Sequence, residues 1–158
     1  MDDRDSLLQD LAPLLSFVGE LDLTAPAECQ ARLQERFPLD GDELRALRHR
    51  VREGIAAGWL ADREAGGIRF SRVRKARDET ELSVDVVHMD RAGPGHTHPS
   101  GEVDLCFAVG GEPRFDGRPE GWTVYPPGSW HVPTVHGGLM DILYFLPGGA
   151  IRFEDEPS

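Results

Sequence analysis

Two periodicities divide the chain into a helical part and a strand-rich part. Before about residue 60, apolar residues recur at the three- and four-residue spacing of amphipathic helices, as in Leu44, Leu47 and Val51. After about residue 66, short alternating or apolar stretches are separated by Gly and Pro turns, which is typical of β-strands. Five strands are predicted, near 68–73, 82–87, 103–109, 121–125 and 140–146. We therefore predict a mainly β fold, with an N-terminal helical region over 1–62 and a single jelly-roll β-barrel over 63–158.

The helical part contains three predicted helices. Two cover about 7–18 and 27–36, and the third begins near Asp40 or Asp42 and ends at Gly58. Because the first and third present clear apolar stripes, we expect the helices to pack on the barrel rather than to form a mobile tether. The opposite face of the third helix carries four arginines, which we expect to be solvated. These are Arg45, Arg48, Arg50 and Arg52.

The amino-acid composition and net charge limit which kinds of partner the protein can bind. The net charge of −11 opposes binding to nucleic acids and to anionic membrane surfaces, since both require a basic face. No apolar stretch is long enough to span a membrane, and the acidic start of the chain lacks the apolar run of a secretory signal. Cys29 and Cys106 fit no zinc motif, and we expect both to be buried reduced thiols. These features predict a cytoplasmic protein with no nucleic-acid and no membrane partner.

The segment from Gly95 to Glu102 carries the densest chemical signal. On an extended backbone, residues two apart point to the same side, so His96 and His98 can aim two imidazoles at one point. A Pro-Ser-Gly turn then lets the chain return and present the Glu102 carboxylate there. A second tight turn, further along the chain, delivers His131. Three imidazoles and a carboxylate suit one divalent first-row ion such as Fe, Mn, Zn or Ni, with positions left open for water or substrate.

Residues around these two turns are candidates for further roles. His136 follows His131 closely and is a candidate catalytic residue. Glu102 is a second one, because its carboxylate can ligate the metal or shuttle a proton, and the sequence leaves both open. Tyr125 and Trp130 lie beside the second turn, where aromatic walls would suit a flat ring. Aromatic residues on barrel strands more often belong to the core, but a small aromatic substrate would need such walls.

The two turns resemble the paired sequence motifs of the cupin superfamily. The first motif is a Gly-led His-x-His followed by Glu102, and the second is a Pro-x-Gly followed two residues later by His131. Two positions depart from the usual pattern, since Gly110 comes later than expected and Val135 stands where Asn is common. Neither departure affects a ligand. The resemblance implies a cupin barrel whose metal is held by His96, His98, Glu102 and His131.

A wider set of segments is similar to a narrower family, the bacterial 4-hydroxylaminobenzoate lyases. These segments lie within 83–107, 121–132 and 140–150, and the family shares a helical stretch before the barrel. The resemblance implies an enzyme of 4-nitrobenzoate degradation that converts 4-hydroxylaminobenzoate to protocatechuate and ammonia. Such a substrate carries a carboxylate, which an arginine fork would bind. The candidates, on or near predicted strands, are Arg72, Arg74 and Arg114.

Other functions of cupin barrels stay open at this point. An Fe(II)-dependent dioxygenase acting on a small aromatic or a thiol would use the same four ligands but consume oxygen. A small-molecule-sensing cupin would bind a ligand without turning it over, and a sugar-modifying isomerase is a weaker alternative because the strands are rich in aromatic residues. By analogy with other cupins we also expect a homodimer.

Overall fold

The structure is a computed structural model that describes residues 2–158, and within that range three helices come first. They are α1 (Asp3–Gly19), α2 (Pro26–Arg36) and α3 (Asp42–Ala57). The Asp2 carboxylate caps α1 by accepting a hydrogen bond from the Asp5 N–H at 2.8 Å. Helix α3 ends where Gly58 takes a φ of 86°, a left-handed conformation that glycine adopts without strain. The predicted helices are confirmed.

The strands form two antiparallel sheets. The part of the chain that the structure describes contains β1 (Arg63–Ala65), β2 (Ile68–Arg74), β3 (Leu82–Met89), β4 (His96–His98), β5 (Glu102–Phe115), β6 (Gly121–Tyr125), β7 (Ser129–His131), β8 (Val135–Pro147) and β9 (Arg152–Phe153). The larger sheet has the order β1-β2-β3-β8-β5-β6, and the smaller one has the order β7-β4-β9. Side chains of β5 contact side chains of β4 and β7, so the sheets pack face to face. The prediction of a mainly β cupin fold with an N-terminal helical region is confirmed.

Each of the five predicted strands corresponds to a strand of the larger sheet. Two of them are longer than the sequence pattern indicates, because β5 continues to Phe115 and β8 begins at Val135. The strands β1, β4, β7 and β9 have only two or three residues, which is too short for alternation to show in a sequence. The proposed division at residues 62 and 63 falls between α3 and β1, and it stays a prediction.

The two faces of the larger sheet have different partners. On β3, Val84 and Val86 point to the helical layer and belong to one core with Leu7, Leu33 and Leu44 of the three helices. The alternating positions of the same strands point towards the smaller sheet and form a second core. That second core consists of Ile68, Val87, Met89, Cys106, Phe115, Val135, Met140, Ile142 and Tyr144. The helices therefore cover one face of the sheet and leave the other face for the site.

Three of the four arginines on α3 tie the helix to neighbouring elements instead of facing only solvent. Arg48 donates to Ala108 O at 2.9 Å and to Glu120 Oε1 at 2.6 Å. Arg52 Nε lies 3.2 Å from Oδ2 of Asp141, a carboxylate that is 2% exposed, in an ion pair without hydrogen-bond geometry. The expectation of a solvated arginine face is therefore wrong for these three and holds for Arg45, which is exposed. A helix that covers a sheet has its flanks within reach of strand residues. The exposed pair of Arg50 with Asp10 joins α3 to α1.

We expect Arg52→Ala to lower the free energy of unfolding by about 1–2 kcal/mol, because it removes one of the two basic side chains beside the buried Asp141 carboxylate, the other being His88 at 2.8 Å. The matched control is Arg50→Ala, which breaks an ion pair of two half-exposed side chains and should cost less than about 1 kcal/mol. Urea unfolding of both variants measures the difference. Equal costs would show that the Arg52–Asp141 contact contributes no more than a surface ion pair.

None of the helices among residues 2–158 has the length and apolar character needed to cross a bilayer. Both cysteines are free and buried, as expected. The cytoplasmic location and the homodimer stay predictions.

Candidate metal centre and its cavity

Four side chains from two motifs converge between the sheets. His96 and His98 lie at the two ends of β4, Glu102 begins β5, and His131 ends β7. Antiparallel pairing places His96 directly opposite His131. One ligand atom from each of the four residues lies within 4.8 Å of all the others, a spacing that could hold one metal ion. The structure thus brings together the four residues that the sequence motifs single out.

The Glu102 carboxylate lies at the middle of this group and is fully buried. Its Oε2 is 3.1 Å from His98 Nε2 and 3.5 Å from His131 Nε2, and its Oε1 is 3.5 Å from His96 Nε2. None of these contacts has hydrogen-bond geometry, so both carboxylate oxygens and His98 Nε2 are buried without a hydrogen-bond partner. Buried polar atoms rarely stay unpaired. A bound cation would satisfy all of them at once.

The other nitrogen of each imidazole contacts a protein oxygen. The Nδ1 contacts are Pro94 O at 3.3 Å for His96, Ser129 Oγ at 3.0 Å for His98 and Asp116 Oδ2 at 2.6 Å for His131. The Ser129 hydroxyl donates to Pro126 O at 2.6 Å, so its oxygen is left to accept from His98 Nδ1–H. Each ring therefore carries its proton on Nδ1 and turns the Nε2 lone pair inward, as metal-ligating histidines do. The Nε2 atoms of His96 and His131 are 3.1 Å apart, which is close enough for both to ligate one ion. The donor set thus fits a divalent first-row ion.

The charges of the cluster follow from its geometry. Burial by itself opposes ionisation of Glu102, but the three imidazoles close to its carboxylate outweigh burial and lower the pKa of Glu102 well below its usual value. Burial likewise opposes protonation of His131, but the carboxylates of Asp116 and Glu102 raise the pKa of His131 to about 9. The buried carboxylate of Glu102 therefore favours a positive charge at the centre of the cluster.

Asp116 belongs to this site, although the sequence analysis did not identify it. It lies in the turn between β5 and β6, where Phe115 and Arg118 exchange two backbone hydrogen bonds of 2.7 and 2.9 Å. Asp116 and Gly117 form the turn with φ values of 50° and 82°. The Asp-Gly dipeptide is a strong signal for such a two-residue hairpin, so this turn was readable from the sequence. The contact with His131 was not readable, because it joins different segments.

Asp104 is a second acid that the sequence analysis did not single out. It follows Glu102 on the inward side of β5, is fully buried, and has no hydrogen-bond partner at either carboxylate oxygen. Burial, and then the neighbouring Glu102 carboxylate, raise the pKa of Asp104 well above its usual value. The raised pKa favours the neutral form of this carboxyl group, and a neutral acid can be buried next to the Glu102 carboxylate at lower cost.

A cavity of about 1060 Å³ reaches the cluster at His96. Aromatic side chains on its walls come from β2, β8 and β9 and are Phe70, Tyr144 and Phe153. Four basic side chains and two acidic ones also line it, in a protein whose net charge is −11. They are Arg4, Arg63, Arg72 and Lys75, with Asp62 and Asp85. The cavity is therefore locally cationic and suits an anionic ligand with a flat ring.

Of the three candidate arginines, only Arg72 lines this cavity among the described residues. Arg74 forms an ion pair with Glu81 at 3.0 Å, and Arg114 is exposed and donates to Gly117 O at 3.3 Å. Strand alternation explains the difference, because Arg72 shares the inward side of β2 with Ile68 and Phe70, whereas Arg74 follows a register shift.

The remaining candidates lie outside the cavity within the described part of the chain. Trp130 points away from His131 on β7 and donates its indole N–H to Glu154 O at 3.0 Å. Tyr125 stacks on the His98 ring with the centroids 5.4 Å apart, so it touches a candidate ligand rather than the cavity. His136 is exposed on β8 opposite Arg114, and the structure does not bring it to the cluster.

The convergence of three imidazoles and one carboxylate between two antiparallel sheets defines a cupin with a candidate metal centre. The sequence profile described as PnbB, 4-hydroxylaminobenzoate lyase, matches residues 11–153. The chain therefore belongs to the 4-hydroxylaminobenzoate lyase family, as the sequence resemblance implied.

Two curated relatives bear the name 4-hydroxylaminobenzoate lyase. The match to the Pseudomonas putida protein is 29% identical and covers 98% of this chain and 97% of the relative. The match to the protein of Nocardioides sp. (strain LMS-CY) is 30% identical and covers 90% of this chain and 92% of the relative.

Similar solved structures include a putative acetylacetone dioxygenase from Methylibium petroleiphilum, with a TM-score of 0.47, 13% identity and coverage of 58% of this chain and 68% of that chain. Another is the DMSP lyase DddQ from Ruegeria pomeroyi, with a TM-score of 0.41, 20% identity and coverage of 80% and 78%.

Proposed function

We propose that this protein is a metal-dependent lyase that converts 4-hydroxylaminobenzoate, or a closely related hydroxylaminoarene, to protocatechuate and ammonia in the degradation of 4-nitrobenzoate. The observation that carries the proposal is the set of inward-facing Nε2 and carboxylate atoms at the end of a cationic, aromatic-walled cavity. Family membership supports the reaction class, and both relatives bear the name of this enzyme.

The four residues that would hold the metal are His96, His98, Glu102 and His131. When bound, a divalent ion supplies a Lewis acid that polarises an oxygen of the substrate. We assign Glu102 as a ligand, because its ionised carboxylate lies between the imidazoles and away from the cavity walls. The ionised Glu102 also lowers the net charge of the ion and its ligands, which suits the buried position.

Arg72 is the proposed partner of the benzoate carboxylate. Its Nε and Nη2 donate to the two oxygens of Asp85 at 2.8 and 3.1 Å. These two bonds occupy one edge of the guanidinium and leave the edge formed by Nη1 and Nη2 for a second carboxylate. Asp85 thereby fixes the orientation of the fork. Phe70, Tyr144 and Phe153 are the proposed walls for the ring.

The proposed reaction needs no external oxidant or reductant. The N–O bond breaks with its electron pair on oxygen, which takes up a proton and leaves as water. A water molecule then adds to the ring carbon beside the C–N bond, and a second hydrolyses the resulting imine to release ammonia. Loss of the ring proton restores aromaticity. One water molecule is consumed overall, so the chemistry depends on positioning and proton transfer rather than on a redox cofactor.

An anaerobic assay tests the proposed reaction. We expect the purified protein to release ammonia and protocatechuate from 4-hydroxylaminobenzoate without oxygen, and to lose this activity after treatment with a chelator. Adding back a divalent first-row ion should restore it. Oxygen consumption with a catechol or a thiol, together with no ammonia release, would instead identify a dioxygenase.

We expect the wild-type protein to prefer 4-hydroxylaminobenzoate over phenylhydroxylamine, and Arg72→Gln to lose that preference. The Arg72 side chain is 36% exposed, so removing its charge should weaken binding of the carboxylated substrate by about 1–2 kcal/mol and leave phenylhydroxylamine almost unaffected. The ratio of kcat/KM for the two substrates measures the effect.

Two controls separate substrate recognition from the loss of the Arg72–Asp85 pair. The double variant Arg72→Gln/Asp85→Asn leaves no unpaired acid behind, and it should show the same loss of preference. Arg114→Gln alters an exposed arginine outside the cavity and should keep the wild-type preference. A wild-type protein that treats both substrates alike would contradict the carboxylate contact.

A further inference from the structure

Asp116 contacts one imidazole directly and a second one through Tyr125, and both of its carboxylate oxygens accept hydrogen bonds. Oδ2 accepts from His131 Nδ1–H at 2.6 Å and from the Tyr125 hydroxyl, and Oδ1 accepts from the Thr134 N–H at 2.9 Å. The Asp116 backbone N–H in turn donates to Thr134 O at 2.9 Å. The carboxylate is therefore held by three donors from three segments, and it cannot rotate without losing one of them.

The contact with His131 determines how that ring is presented. A carboxylate can only accept a hydrogen bond, so the proton of His131 lies on Nδ1 and the Nε2 lone pair points to Glu102 and His96. The contact with Tyr125 acts on a second ligand. The Tyr125 ring stacks on the His98 ring with a centroid distance of 5.4 Å and an interplanar angle of 29°. The same ring lies 4.3 Å from the His131 ring, so it contacts both imidazoles, whose own ring centroids are 4.7 Å apart.

The backbone at Asp116 is unusual for a residue with a side chain. Its φ of 50° is left-handed, a region in which Asp and Asn are among the few non-glycine residues that occur often. Glycine would suit the turn better for conformational reasons alone, and it already occupies the next position, Gly117. An aspartate here places its carboxylate against His131, which a glycine could not do.

We propose that Asp116 is a positioning residue for the metal centre, which orients His131 directly and packs Tyr125 against His98. This inference rests on the proposed metal-dependent function, since Asp116 would serve to present the Nε2 atoms of the histidines to an ion. Carboxylates that orient ligating histidines typically contribute about 10–100-fold to metal affinity.

Asp116→Asn tests the proposal with a minimal change. Asparagine tolerates the same left-handed backbone and can still accept from the Thr134 N–H, but it has no negative charge to hold the His131 proton on Nδ1. We expect metal affinity, measured by competition with a chelator of known affinity, to fall about 10–100-fold. The visible absorption spectrum of the Co(II)-loaded protein should shift, because the ligand geometry changes. The thermal midpoint of the metal-free variant should stay close to that of the metal-free wild type.

The matched control is Asp78→Asn, another aspartate that stabilises a turn, here by accepting from Thr80 N–H at 2.8 Å. It should leave both the metal affinity and the Co(II) spectrum at their wild-type values. Tyr125→Phe keeps the ring on His98 but removes one bond to Asp116, so we expect an intermediate loss of affinity. If Asp116→Asn does not fold, the metal affinity of Tyr125→Phe tests the role of Asp116 in its place.

The outcomes separate this inference from the proposed function. If the wild-type protein binds no divalent ion, both are overturned. If the wild type binds an ion and Asp116→Asn matches it in affinity and in Co(II) spectrum, Asp116 serves only the turn and the metal-dependent function stands. With an unfolded Asp116→Asn, wild-type affinity in Tyr125→Phe would overturn the inference in the same way.

Discussion

His98→Ala should lose nearly all bound metal and all release of ammonia from 4-hydroxylaminobenzoate. His98 is the closest imidazole to Glu102, at 3.1 Å, and it is fully buried. Its Nδ1 is fixed by Ser129, which makes the ring a rigid ligand. Elemental analysis of protein purified without added metal or chelator measures the loss, since the wild type should contain about one divalent ion per chain.

The control for His98→Ala is His49→Ala, which removes an exposed imidazole on α3 whose only described contact is with Glu53. His49→Ala should keep wild-type metal content and activity. The fold of His98→Ala should survive, because the hydrophobic layers on both sides of the large sheet do not include His98. Wild-type metal content in a folded His98→Ala protein would show that the ion lies elsewhere.

Phe37→Ala should destabilise the protein by about 3–5 kcal/mol, which is a large part of the stability of a typical domain. Phe37 follows α2, is 1% exposed, and packs between the rings of Phe17 and Trp122 at centroid distances of 5.6 and 6.4 Å. Its carbonyl also accepts the indole N–H of Trp122 at 2.9 Å, which joins the helical layer to β6. Removing the ring leaves a cavity where the helices meet the sheet.

Urea unfolding of Phe37→Ala gives the size of the effect, and Glu35→Ala is the control. Glu35 is an exposed position on α2, so its substitution should change the free energy of unfolding by less than about 0.5 kcal/mol. A cost below about 1 kcal/mol for Phe37→Ala would mean that the helical layer is only loosely attached to the barrel. Limited proteolysis that released the helices and left a folded, active barrel would support the same conclusion.

Features carried by a single segment were predictable from the sequence. The helices and the longer strands follow from apolar periodicity, which depends only on the local backbone repeat. The metal-binding chemistry of the His96–Glu102 segment was predictable because alternation along one strand decides which side chains point to the same side. The paired motifs and the wider similarity then indicated the lyase family, and the match over residues 11–153 confirmed it.

Features that join distant segments were decided only by the tertiary structure. Arg72 faces the cavity and Arg114 faces solvent, yet both looked alike as strand arginines, because sheet register and twist decide which side of a strand meets the cavity. Arg52 meets Asp141 only because α3 lies across β8. Asp116 reaches His131 only because a hairpin turn ends beside β7. The sequence therefore indicated the candidate ligand set and the family. Packing determined which charges surround the candidate ligands, because contacts between segments depend on the arrangement of the whole chain and leave no local period in the sequence.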